Sequence, residues 1–186
     1  MTPVTPAFTD AEAHTRETFL ALMWAMSYPG RVHTLPTPDD DTLAAFQAIG
    51  DTLLDLEVSY YTPDAVLNRH LQRTTSRFLE PSQAGYLFFP SVGEDHIAEL
   101  AQAKLGTMLY PDESATLILG CTFDGTPITL TGPGVNGTAP ITVGSLPAAV
   151  WDWREKTRRY PLGWDIILVA GNQVIGIPRS TSIEMG

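Results

Sequence analysis

Two short stretches, residues 86–89 (YLFF) and 166–170 (IILVA), are apolar at every position. Successive side chains of a strand point to opposite faces. A strand without a polar position therefore needs apolar cover on both sides, as in the interior of an α/β sheet. The intervening sequence supplies helical segments to provide that cover. The chain is thus expected to be α/β: a layered fold with a mixed sheet flanked by helices.

The remaining elements follow from local signals. Thr9 and Glu12 have the spacing of a capping box, so a helix should start there and run to Ser27, with Phe19, Leu22, Met23 and Met26 on one face. Pro29 and Gly30 stop it. Residues 31–35 read as a short strand and 36–41 as a turn. Asp41 caps a helix over 42–55. Residues 57–62 (EVSYYT) suit a strand. Pro63 should open a helix over 63–75, with Asp64 in its first turn. Residues 84–90 form a strand, and 94–106 a helix closed by Gly106, with Lys104 in its last turn.

Asp124 and Gly125 are a turn signal between two apolar runs, so 115–123 and 126–132 are expected to form a hairpin. A helix over 145–160 follows, and Gly171 and Asn172 join a last strand pair, 164–171 and 173–181. Residues 1–7 read as a loose tail. No repeat or Gly/Ser linker divides the 186 residues, which suit a single domain spanning 1–186 with a sizeable core.

Composition narrows the function. The net charge of −10 argues against nucleic acid, whose phosphates need clustered Lys and Arg. The single cysteine, Cys121, makes no internal disulfide and lies in an apolar run, as a buried hydrophobe does. The amino terminus lacks a basic and then apolar signal, and no apolar run reaches the roughly 18 residues of a membrane span. A cytoplasmic protein without a membrane partner is expected. The four histidines show no metal-binding spacing, and neither His-Glu-x-x-His nor Gly-x-Ser-x-Gly occurs. There are two lysines, Lys104 and Lys156, and neither has the setting of a Schiff-base residue.

What remains is a glycine-rich loop and several cations. Residues 132–137 (GPGVNG) match the dinucleotide string Gly-x-Gly-x-x-Gly. No helix can start after it, because TAPITVG follows, and Pro133 removes one N–H from any phosphate cradle. The other reading is a turn that brings backbone close to something else. Arg154, Lys156, Arg158 and Arg159 suit either a phosphorylated or acidic ligand or a cation-favouring helix C-terminus. Trp151 and Trp153 beside them suit an interface or a core. Arg179, with Ser180 and Thr181 behind it, could bind an anion or pair internally with Asp165 or Glu184. The candidate contacts are therefore Gly132, Gly134, Asn136, Arg154, Arg158, Arg159, Arg179 and Ser180. On them alone, an independent phosphate-ester or nucleotide-binding enzyme using Gly132 to Gly137 and Arg179 stays open.

Four segments in order, residues 19–32 (FLALMWAMSYPGRV), 105–119 (LGTMLYPDESATLIL), 130–135 (LTGPGV) and 160–184 (YPLGWDIILVAGNQVIGIPRSTSIE), resemble PhnH, the H subunit of the bacterial carbon–phosphorus lyase system. Tyr28 stands where the family is expected to carry a charge, and Ser180 replaces the usual first threonine after the arginine. The resemblance implies a fold similar to that of pyridoxal-phosphate-dependent transferases, without that cofactor. It implies a homodimer when alone, and a phosphonate-degrading core complex with the G, I and J subunits. That complex joins a phosphonate to the ribose of a nucleoside triphosphate, displacing adenine, before the J subunit cleaves the carbon–phosphorus bond. The family carries no established catalytic residue onto this chain, so a structural or assembly role without its own active site is implied.

Overall fold

A computed structural model describes residues 9–186; the tail expected over residues 1–7 lies outside them. The strands are β1 His33–Thr34, β2 Ser59–Tyr61, β3 Arg77–Phe78, β4 Tyr86–Phe89, β5 Thr116–Gly120, β6 Thr122–Thr131, β7 Ala139–Gly144, β8 Asp165–Ala170, β9 Gln173–Ile177 and β10 Ser182–Met185. The helices are α1 Asp10–Ser27, α2 Thr42–Leu53, α3 Ala65–Leu71, α4 Ile97–Leu100 and α5 Ala148–Thr157.

A seven-stranded mixed sheet has the order β1-β9-β8-β5-β4-β2-β3. Its five strands from β8 to β3 are parallel, and β9 and β1 are antiparallel additions. A smaller antiparallel sheet has the order β10-β6-β7. Alternation along the central strands feeds two cores. Phe88, Ile118, Ile167, Val169 and Val174 pack with α1, α2 and α3 on one face. Leu87, Phe89, Leu117, Leu119, Ile166 and Leu168 pack on the other, under Ile128, Leu130, Ile141 and Val143 of the small sheet and Val150 and Trp151 of α5. The continuous apolar strands are thus covered on both faces, with helices on one side and a second sheet with helices on the other.

Several local expectations hold. Thr9 and Glu12 form the capping box, Asp41 accepts the Ala44 amide at 2.8 Å, and β8 and β9 form a hairpin. Others are corrected. Asp64 is the N-cap of α3, accepting the Leu67 amide at 2.7 Å, and Pro63 precedes the helix. The carboxylate satisfies a free amide of the first turn, which proline cannot do. The helix expected over 94–106 shrinks to a 3-10 turn, Glu94–His96, and the short α4. Lys104 lies beyond it. The carbonyls after α4 are taken by neighbours instead: Ala103 by the Trp164 indole at 3.2 Å and Lys104 by the Ala115 amide at 2.9 Å.

The hairpin at Asp124 and Gly125 does not form. β5 lies between β4 and β8 in the large sheet, while β6 belongs to the small one, and the register shift between Thr122 and Thr126 absorbs both residues as a bulge. Residues 117–119 can be buried on both faces only inside the large sheet. On α1 the buried residues are Thr18, Ala21, Leu22 and Ala25, with Phe19 half exposed and Met23 and Met26 only partly covered. Small residues face the sheet because α1 lies against Gly176 of β9: a Cβ there would come within 2.5 Å of the Ala25 carbonyl. The strands β3, β7 and β10 were not foreseen from the sequence.

Candidate functional site

The chain crosses from the large sheet to the small one through residues 178–181, a turn closed by the Thr181 amide on the Pro178 carbonyl at 2.9 Å. Most of the candidate residues converge there. Arg154 reaches in from α5 and is 1% exposed. Its Nη2 donates to the carbonyls of Pro178 at 3.0 Å and Thr181 at 2.9 Å, and its Nη1 to Glu155 at 2.6 Å. Burial pulls this guanidinium down to about 10, against the opposing pull of Glu155. Arg158 completes the cluster by pairing with Glu155 at 3.0 Å.

Arg179 sits in the turn itself. Its amide donates to Asp165 Oδ1 at 2.8 Å, its Nε and Nη2 reach Asp165 Oδ2 at 3.1 and 2.5 Å, and its Nη1 donates to the Pro111 carbonyl. Of the two pairing options, Asp165 is the partner. Arg154, except for its buried and unpartnered Nε, and Arg179 therefore turn their donors to protein groups, and the turn they hold is a joint between sheets.

The glycine loop connects β6 to β7 and packs on its own chain. Gly132 adopts φ 133°, and a Cβ on it would lie 3.0 Å from the Ser180 carbonyl. Gly134 adopts φ 83°, and its Cβ would lie 2.5 Å from the Ser27 carbonyl at the end of α1. Gly132, Arg154, Arg158, Arg179 and Ser180 are thus assembled at one joint. Gly134 lies against α1. Asn136 is exposed at the loop tip, and Arg159 is exposed in the turn after α5. Trp151 is buried, whereas Trp153 is 38% exposed with the Lys156 ammonium 5.6 Å from its ring.

A cavity of about 380 Å3 lies at the N-terminal ends of β2, β4 and β5. Arg77, Lys104, Glu57, Asp112, Glu113 and Ser114 line it, and Arg179 reaches its edge. The hydroxyl of Ser114 is buried there without a hydrogen-bond partner. Beside it, Phe19, Met23 and Met26 line an apolar hollow of about 250 Å3 that shares Tyr86 and Thr116 with the polar cavity. Burial raises the Tyr86 phenol, helped by Asp55, so it is a neutral donor. Sequence reasoning missed this cleft because its residues come from six separated segments and form no motif. The mixed charges suit a polar ligand of no single sign.

Among the described residues no group of three His, Cys, Asp or Glu could hold a metal, and no helix is long and apolar enough to cross a membrane. Burial pushes the Cys121 thiol up to about 12, leaving it a neutral thiol.

Comparison with known proteins adds two kinds of finding. The family model described as "Bacterial phosphonate metabolism protein (PhnH)" matches residues 6–184. A protein of Stutzerimonas stutzeri named "Putative C-P lyase subunit protein HtxG" is 30% identical over 171 residues, 90% of this chain and 84% of its own length. A protein of Rhizobium meliloti (strain 1021) named "Alpha-D-ribose 1-methylphosphonate 5-triphosphate synthase subunit PhnH" is 27% identical over 193 residues, 96% of this chain and 94% of its own.

Proposed function

This chain belongs to the PhnH family of bacterial phosphonate metabolism proteins, and from that premise we propose that it is a subunit of a carbon–phosphorus lyase complex. It supports formation of the ribose 1-phosphonate 5-triphosphate intermediate alongside the G, I and J subunits, in the cytoplasm, as a structural and assembly component. The observation that carries this reading is the match over nearly the whole chain, with both relatives named as subunits. The inward use of Arg154 and Arg179 supports it, because residues that the sequence offers for binding an anion build a joint instead. The same proposal takes the layered sheet as a relative of the pyridoxal-phosphate transferase fold working without that cofactor, and has the isolated chain pair with itself. Purification alone and with the G, I and J subunits tests it. A chain that neither enters their complex nor is required for its activity would sink the proposal.

A second reading, an independent phosphate-ester or nucleotide-binding enzyme, draws on Arg77 and Lys104 in the polar cavity, where neither forms an ion pair among the described residues. Calorimetry of the isolated chain with ATP and with an alkylphosphonate separates the two readings. Absence of heat at millimolar ligand would end the second.

A further inference from the structure

The small sheet ends in an open edge at β10, whose one neighbour among the described residues is β6. The Gly186 amide donates to the Pro127 carbonyl of β6 at 3.0 Å, which sets the phase of this ladder. In an antiparallel pair the positions bonded to the neighbour recur at every second residue. Ser182 and Glu184 therefore bond to β6, opposite Thr131 and Thr129. The amides and carbonyls of Ile183 and Met185 point the other way, to the open edge. Such a row of backbone groups is a template for another strand. The remaining edges are blunted: β1 and β3 are 2 residues long, and β7 carries Pro140. β10 contains neither proline nor lysine.

What flanks the edge specifies the strand that fits it. Ile183 and Met185 share the face that Leu130 and Ile128 turn to the core. With Trp151 they line a groove of about 420 Å3 between α5 and β10, where Met185 is 47% exposed. Glu184 lies on the opposite face, exposed. Arg179 takes Asp165 as its partner, and Glu184 forms no ion pair among the described residues. We propose that this edge docks an extended segment of a partner protein, apolar at alternate positions and carrying Lys or Arg between them. Its backbone pairs with Ile183 and Met185, and its apolar side chains enter the groove against Trp151. Its cations lie on the solvent face beside Glu184, where opposite charges on neighbouring strands attract. The net charge of −10 favours the same segment during encounter. Antiparallel pairing with a second copy's β10 through both residues would set Glu184 directly opposite the second copy's Glu184, so the charge selects a different chain. The inference goes beyond the proposed function and does not depend on which complex the chain joins.

Nuclear magnetic resonance of the isotope-labelled full chain tests the proposal, with a capped peptide of alternating valine and lysine as the probe. The Ile183 and Met185 amides are expected to exchange rapidly with solvent in the free chain. On adding the peptide they should shift and become protected. A peptide with glutamate in place of lysine should bind about tenfold more weakly. Met185→Pro removes an outward donor that the β6 ladder does not use, and should abolish binding. Glu184→Lys should reverse the preference, so that the glutamate peptide binds the tighter of the two. Circular dichroism confirms that each variant is folded; if Met185→Pro is not, the Glu184→Lys reversal decides. Undisturbed Ile183 and Met185 amides at millimolar peptide, equal binding of the two peptides, or an unchanged preference in Glu184→Lys would overturn the proposal. So would slow exchange of both amides in the free chain, since the chain itself would then cover the edge. Loss of self-association in Met185→Pro, read by sedimentation velocity, would also overturn it by giving the edge to a second copy. Failure to join the G, I and J subunits with peptide docking intact would count against the proposed function alone.

Discussion

Arg179 and Asp165 meet through three hydrogen bonds, one from the Arg179 backbone amide and two from its guanidinium. The pair joins the start of β8 to the turn after β9, and the remaining guanidinium contact holds the Pro111 carbonyl ahead of β5. Three segments distant in sequence are fastened by one side chain. Both partners are less than one-fifth exposed, so truncation leaves a mostly desolvated carboxylate. Arg179→Ala should cost about 2–3 kcal/mol of unfolding free energy, toward the low end for a broken buried pair because some water reaches it. Arg179→Lys should recover only part, since an ammonium lacks the planar fork. Urea unfolding reads both, and unchanged midpoints would remove the joint role assigned to Arg179.

The glycine loop predicts an ordering. Gly134→Val must force a β-branched residue into φ 83° and push a side chain into the Ser27 carbonyl; a cost of about 2–4 kcal/mol is expected. Gly137 has a positive φ of 75° but nothing within 4 Å of its Cβ position, so Gly137→Ala should cost about 1 kcal/mol. Thermal unfolding of the two variants compares them. Equal costs would mean that the loop does not press on α1.

His33 gives the chain a pH dependence. Burial, aided by Arg31, lowers its imidazole below the ordinary value of 6.5, and its Nε2 is buried without a partner. The native state thus resists protonation that the unfolded state accepts. Stability contributed by neutral His33 is present above about 6.5 and is lost as the pH falls from there toward the lowered folded value. Unfolding midpoints at pH 7.5 and 5.5, compared between wild type and His33→Gln, isolate this contribution from the carboxylates. The wild type should lose more than the variant over that interval; equal losses would contradict it.

Cys121 should be inert in the folded chain. A thiol pushed up to about 12 leaves a thiolate fraction on the order of 10⁻⁴ at pH 8. Labelling with a thiol reagent at that pH should be slow in buffer and complete in denaturant. Rapid labelling of the native chain would show the thiol to be open to solvent.

Some of this molecule could be read from neighbours along the chain. Thr9, Glu12 and Asp41 cap helices because the free amides lie three residues away, and Gly171 and Asn172 turn β8 into β9 because the strands are adjacent. The apolar runs announced two-sided burial for the same reason, since alternation is a local property. The family resemblance rested on ordered strings that a linear reading preserves.

Tertiary structure decided what depended on distant partners. Whether 116–120 pairs with β6 or inserts between β4 and β8 turns on what covers its second face. The end of α4 turns on the Trp164 indole and the Ala115 amide taking carbonyls that a longer helix would have used. Arg154 and Arg179 looked alike in sequence to residues that bind anions; their charge was available until folding delivered carbonyls and Asp165 to their donors. Sequence spacing determines which groups a helix turn or hairpin brings together. It does not determine which of two equally capable partners, one from the fold and one from solution, arrives at a guanidinium first.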